Sequence, residues 1–172
     1  KLAEIAGKYK INNLYDKNEY LAKLDAIPPS LALAQAILES GWGSSIYAKK
    51  LNNYYGHYVF NKNLGVKGMD VSGKSEQIRI FEDIGGSVRA YMLNLNTHLA
   101  YKEFRAAREK ARKSGEFLSG LKAIEYLDRY SIQQGTYISR IKSVIKSNDL
   151  TIFDGSVTVF VSPNFKSYVT LY

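Results

Sequence analysis

Cysteine is absent from the 172 residues, which excludes disulfides and thiol catalysis without naming a compartment. Histidine is almost absent. His57 and His98 form no HExxH pattern, so no zinc site is expected, and carboxylates alone are weak grounds for calcium. No metal and no cofactor are expected. No apolar run reaches the ~18 residues a membrane span needs. The opening KLAEIAGKYK lacks the apolar core of a signal peptide and starts at Lys1 rather than Met, as a trimmed fragment would. A GxSxG elbow is missing, which argues against a Ser-His-Asp hydrolase, and Gly85-Gly86 is not followed by the GK[ST] of a phosphate loop. There is no internal repeat and no low-complexity stretch.

What remains fits one globular domain with a substantial core: 45% of the residues are hydrophobic. Twenty-four Lys and Arg against sixteen Asp and Glu give a net charge of +8, which suits an anionic polymer such as a bacterial wall, a headgroup surface or nucleic acid. The densest basic stretch, KEFRAAREKARKSG (102–115), interleaves acids at helical spacing and reads as a solvated helix face. No nucleic-acid motif accompanies it, and no nucleic-acid partner is expected.

Residues 1–26 carry apolar positions near helical period. Pro28 and Pro29 suit a helix entrance, where a missing N–H matters little. From Ser30 to Leu38 the helix is apolar nearly all round, which marks burial, and Gly41 and Gly43 stop it. A short helix is expected from Ser44 or Ser45 to about Leu51. Residues 52–83, rich in aromatics, Gly, Asn and Lys and closing on the alternating SEQIRIF, predict a small β-hairpin lobe. Helical patterns resume at 87–99, 101–113, 116–128 and 136–147. The division expected is a domain over 1–150 and, over 151–172, a C-terminal hairpin or tail around a Ser-Pro-Asn turn.

Glu39 needs explaining. It ends an apolar helix and is followed at once by Ser-Gly-Trp-Gly. Apolar neighbours, the negative end of the helix and a covering Trp42 would each push its pKa upward. A carboxylic acid still protonated near neutrality is what a glycosidase uses to protonate a departing glycosidic oxygen. By residue type alone, a helix-end Glu is an ordinary solvated side chain. The motifs around it decide the matter.

IPPSLALAQAILESGWGSS followed by NNYYG resembles the glucosaminidase domains of glycoside hydrolase family 73, in their Bax-like branch. SVRAYMLNLNTHLAY and YSIQQGTYISRIKSVIKSN fit the same pattern, and the match runs over about residues 25–148. The resemblance implies an α+β, mainly α, lysozyme-like helical domain with a small β-hairpin lobe flanking a cleft. It also implies cleavage of GlcNAc-β-1,4-MurNAc bonds in peptidoglycan strands, outside the cytoplasm, with Glu39 as general acid. The family's second carboxylate, where present, lies in the β-lobe. Glu76 is the candidate, with Asp70, Glu82 and Asp83 as competitors. A separation of about 5–5.5 Å would favour a retaining route and about 6.5–9.5 Å an inverting one; assistance by the substrate's N-acetyl group is a third.

Sugar rings stack on aromatic faces, which makes Tyr54, Tyr55, Tyr58 and Phe60 candidates for the cleft floor, beside a core-packing alternative. Trp42 reads as a plug on Glu39, with a sugar platform as the alternative. Asn53 is a substrate-binding candidate or, with Asn52, a turn former. Gln35, one turn before Glu39, is placed to orient it or touch substrate. The resemblance puts Tyr130 at the scissile sugar and Tyr137 beside it; packing of Tyr137 on Ile141 is the other reading. A monomeric wall hydrolase without amidase activity is the leading expectation. A muramidase or lytic transglycosylase and a non-catalytic wall-binding domain are the alternatives.

Overall fold

The computed structural model describes residues 1–67, 77–131 and 134–156. It is mainly helical with one small antiparallel sheet, as the α+β reading expects. None of the described helices is long and apolar enough to cross a membrane. The chain divides into two compact units, Lys1–Ala34 with Leu95–Tyr172, and Gln35–Asn94.

In the first unit the helical stretch 1–26 comprises two helices, α1 (Leu2–Tyr9) and α2 (Lys17–Lys23). The apolar periodicity continues across the gap, but local polar chemistry overrides it. Lys10 takes left-handed backbone, and Asp16 caps α2 by accepting the Asn18 and Glu19 N–H groups. Glu19 then reaches back to accept the Asn12 and Asn13 N–H groups.

Helix α3 (Pro29–Ser40) starts in this unit with Ser30 and Leu31 fully buried. Its entrance is held by Asp154, a buried carboxylate in the 3-10 segment Leu150–Ser156. Asp154 accepts the Ser30 N–H at 2.9 Å, the Ser30 hydroxyl at 2.8 Å and the Gly120 N–H at 2.9 Å. Gly120 is obligatory there, because a Cβ would meet Ser30 Oγ at 2.1 Å.

Helix α6 (Lys102–Lys113) turns Arg108 inward onto α2. Its guanidinium donates to the carbonyls of Ala22 and Ala26 and to Asn96 Oδ1, and it pairs with Asp25 at 2.9 Å. Residues 116–128 are not one helix. They contain α7 (Gly120–Ala123) and the 3-10 turn Ile124–Tyr126, with a further turn over Asp128–Tyr130. Tight packing of Gly120 against the start of α3 sets where the regular helix begins. Helix α8 (Gln134–Ser147) buries Tyr137, Ile141 and Ile145 on one face. The expected carboxy-terminal hairpin falls on residues 157–172, outside the described chain.

The second unit holds the end of α3, the short α4 (Ile46–Leu51) capped by Ser45, and most of α5 (Ile84–Thr97). Between them lie β1 (Tyr58–Val59), β2 (Gly65–Val66) and β3 (Gln77–Arg79), in the order β1-β3-β2. The register pairs Tyr58 with Ile78 and Val66 with Ile78. Gly65 admits this packing: a Cβ there would approach Val59 Cγ1 and Gln77 Cβ to 2.8 Å.

Candidate active site

Glu39 stands in the last turn of α3, exposed, where the helix carbonyls point outward. Immediately after it the backbone does something unusual. Gly41, Trp42 and Gly43 all have positive φ, 57°, 58° and 70°. Two glycines adopt such backbone freely, but a bulky tryptophan does so at a cost of about 1–2 kcal/mol. Ser40 holds the turn: its hydroxyl donates to the Ala36 carbonyl at 2.6 Å and accepts the Gly43 N–H at 2.7 Å.

Trp42 is 67% exposed. The plug expected from sequence is therefore not what the fold builds. The left-handed turn aims the indole into solvent, so burial does not shield the Glu39 carboxylate as expected.

The NNYYG turn comes to meet this helix end. Gly56, with φ 66°, passes so close that a Cβ on it would lie 3.8 Å from Glu39 Oε2. Gly43 similarly faces Tyr54, whose ring would stand 3.4 Å from a Cβ at that position. The two motif glycines thus seat the ESGWG and NNYYG segments against each other.

Behind these surfaces the other candidates form a supporting layer. Gln35 is fully buried, and its amide oxygen accepts the Tyr91 hydroxyl at 2.6 Å. Tyr91 also stacks on Tyr55 with ring centres 4.0 Å apart and planes 11° from parallel. Tyr55 is buried, and desolvation pushes its phenol up to about 12. Asn53 is buried too; it accepts the His57 N–H and donates to the His57 and Arg79 carbonyls. Asn53 therefore ties the turn to β3, and Asn52, in left-handed backbone, donates to the Phe81 and Glu82 carbonyls. The Tyr54 N–H donates to buried Ser87. Tyr58 and Phe60, by contrast, are 53% and 71% exposed.

Glu76 and Asp70 lie outside the described residues. Of their competitors, Asp83 accepts the Gly86 N–H at the start of α5 and pairs with Arg89 at 3.2 Å, while Glu82 is exposed. His57 is largely buried, and desolvation, helped by the Arg79 charge, lowers its imidazole to about 4. Tyr130 and Tyr137 belong to the other unit, where their rings stack 5.7 Å apart and Tyr137 is buried. Gly56, Ser40, Ser87 and Tyr91 were not singled out from sequence, although the glycine closing NNYYG was a visible signal.

No solved structure matches the chain. It is 31% identical over 157 residues to Protein bax of Escherichia coli (strain K12), an alignment covering 88% of this chain and 56% of that protein. The chain thus spans little more than half the length of that relative. The family model described as mannosyl-glycoprotein endo-beta-N-acetylglucosaminidase matches residues 16–150, which takes in both units and every candidate above, and on that match the chain belongs to the glucosaminidase family.

Proposed function

We propose that this chain is an endo-β-N-acetylglucosaminidase that hydrolyses GlcNAc-β-1,4-MurNAc bonds of peptidoglycan, with Glu39 as general acid. The observation that carries the reading is the seating of the Glu39 carboxylate against the bare backbone of Gly56, open to solvent. A glycine at that point leaves room for a sugar ring beside the acid. Exposed Trp42, Tyr58 and Phe60 in the same unit supply apolar faces of the kind sugars stack on.

In the reaction Glu39 gives its proton to the bridging oxygen as the anomeric C–O bond breaks and its electron pair goes to that oxygen. Water adds to the anomeric carbon and gives its proton to the Glu39 carboxylate or to the second carboxylate, leaving a reducing GlcNAc end. Positive charge at the anomeric carbon is met by a second carboxylate, for which Glu76 is the candidate, or by the substrate's acetamido oxygen. Gln35 acts from beneath as a positioning residue, and the family resemblance offers Tyr130 as a hydrogen-bonding partner of the sugar. The substrate places the enzyme's work outside the cytoplasm. Membership of a glycan-cleaving family supports the reaction class.

The test is digestion of purified peptidoglycan by the native chain, Glu39→Gln and Glu76→Gln, with borohydride reduction and mass spectrometry. Reduced GlcNAc ends from the native chain and not from Glu39→Gln are expected. Reduced MurNAc ends would make it a muramidase, anhydro-MurNAc ends a lytic transglycosylase, and no new ends a wall-binding domain.

A further inference from the structure

Two 3-10 turns of the first unit, Leu99–Tyr101 and Asp128–Tyr130, each end in a tyrosine of one aromatic stack. Tyr101 and Tyr130 have ring centres 6.1 Å apart, and Tyr130 and Tyr137 follow at 5.7 Å. Beside that stack the same two turns and the start of α6 enclose a cavity of about 310 Å³, lined by Leu99, Ala100, Lys102, Glu103, Asp128 and Arg129. That volume lies within the usual range of ligand sites.

The lining is unusual in its charge. Two cations and two anions face one space, and only one loose, exposed pair forms among them. Lys102 and Glu103 approach only to 3.9 Å, with both side chains about three-quarters exposed (76% and 73%). Asp128 and Arg129 are exposed and make no ion pair among the described residues. Leu99, 85% exposed, adds an apolar rim. A uniformly basic pocket would select a phosphate or a polyanion. This one suits a ligand carrying carboxylate and ammonium groups together, with a short aliphatic part for Leu99.

We infer that this cavity binds the peptide stem of peptidoglycan, a short peptide with free carboxylates and a free amine. The inference rests on the proposed glycosidase reading and narrows it to strands that still carry their peptides. Arg129 and Lys102 take the carboxylates, and Asp128 and Glu103 take the amine.

Two measurements test it. First, a synthetic tripeptide stem alone is titrated into the isotope-labelled chain and followed by amide shifts. Saturable shifts at residues 99–103 and 128–129 are expected, with binding weakened about fivefold or more in Arg129→Glu and likewise in Asp128→Lys, as the loss of one or two partly exposed charge contacts implies. Both positions are exposed, so folding is not at risk. Absent shifts, or shifts that the two variants leave unchanged, would overturn the pocket. Second, digestion rates are compared on peptide-bearing strands and on strands stripped of peptide. The native chain should prefer the former through KM, and Arg129→Glu should bring the ratio close to one. An equal native rate on both strands overturns the inference while leaving the glycosidase intact. Cleavage of neither strand removes the glycosidase reading, and the peptide titration then decides the cavity by itself.

Discussion

Glu39 and Gly56 face each other from two separate segments: a Cβ built on Gly56 would lie 3.8 Å from the carboxylate oxygen Oε2. That separation is ordinary van der Waals contact, so the backbone conformation, and not a clash, sets the demand for glycine. At φ 66° any L side chain is strained. Gly56→Ala should lower stability by about 1–2 kcal/mol, a shift of several degrees in thermal unfolding at this chain length. Gly56→Asn, which tolerates left-handed backbone, should recover part of it. Gly56→Val should cost activity beyond its effect on stability, because its branches reach the carboxylate.

Trp42 separates strain from function. It holds positive φ while exposing 67% of its surface, so its removal takes little away from the core. Trp42→Gly should leave the melting temperature unchanged or raise it by a few degrees, since about 1 kcal/mol of backbone strain disappears. Its KM for glycan should rise at least fivefold, the loss expected of one stacking face. Equal KM in the two proteins would show the indole to be idle in binding.

Tyr91 and Gln35 share a buried hydrogen bond of 2.6 Å beneath the helix that carries Glu39. Tyr91→Phe keeps the ring stacked on Tyr55 but removes the donor, at a cost of about 1–3 kcal/mol. A double-mutant cycle with Gln35→Leu should return a coupling energy of the same order, measured by denaturant unfolding.

His57 gives the fold a pH dependence. Burial lowers its imidazole from the ordinary value of 6.5 to about 4, so the unfolded chain binds the proton first as pH falls. The contribution is complete above about pH 6.5, declines between 6.5 and 4, and is flat below; at its limit it approaches about 3 kcal/mol. His57→Gln should flatten unfolding free energy across that interval. A slope equal to that of the native chain would mean other groups carry it.

Asp154 lies beyond the residues 16–150 that the family model covers, yet it holds the entrance of α3 through three hydrogen bonds. A chain ended at Leu150 should therefore unfold several degrees earlier, and Asp154→Ala should lose about 2–4 kcal/mol. Retained stability in both would show that solvent serves the Ser30 and Gly120 donors equally well.

Helix identity followed from local chemistry wherever the signal was local. The apolar run ending in Glu39 is α3, Ser45 is the cap of α4, and the aromatic, glycine-rich stretch contains the sheet. The same local signals marked residues 1–26 and 116–128 as helical but not the breaks inside them, where a capping Asp16 and a glycine pressed on Ser30 set the helix starts. The sequence by itself determined the family and the aromatic inventory and singled out Glu39 as the candidate acid, because these are properties of residue type and order. Only the tertiary structure decided which of those residues face outward. It sends Trp42, Tyr58 and Phe60 to solvent and buries Gln35, Asn53 and Tyr55, since exposure depends on which distant backbone packs against each side chain, and contacts of that kind leave no periodic trace in the chain.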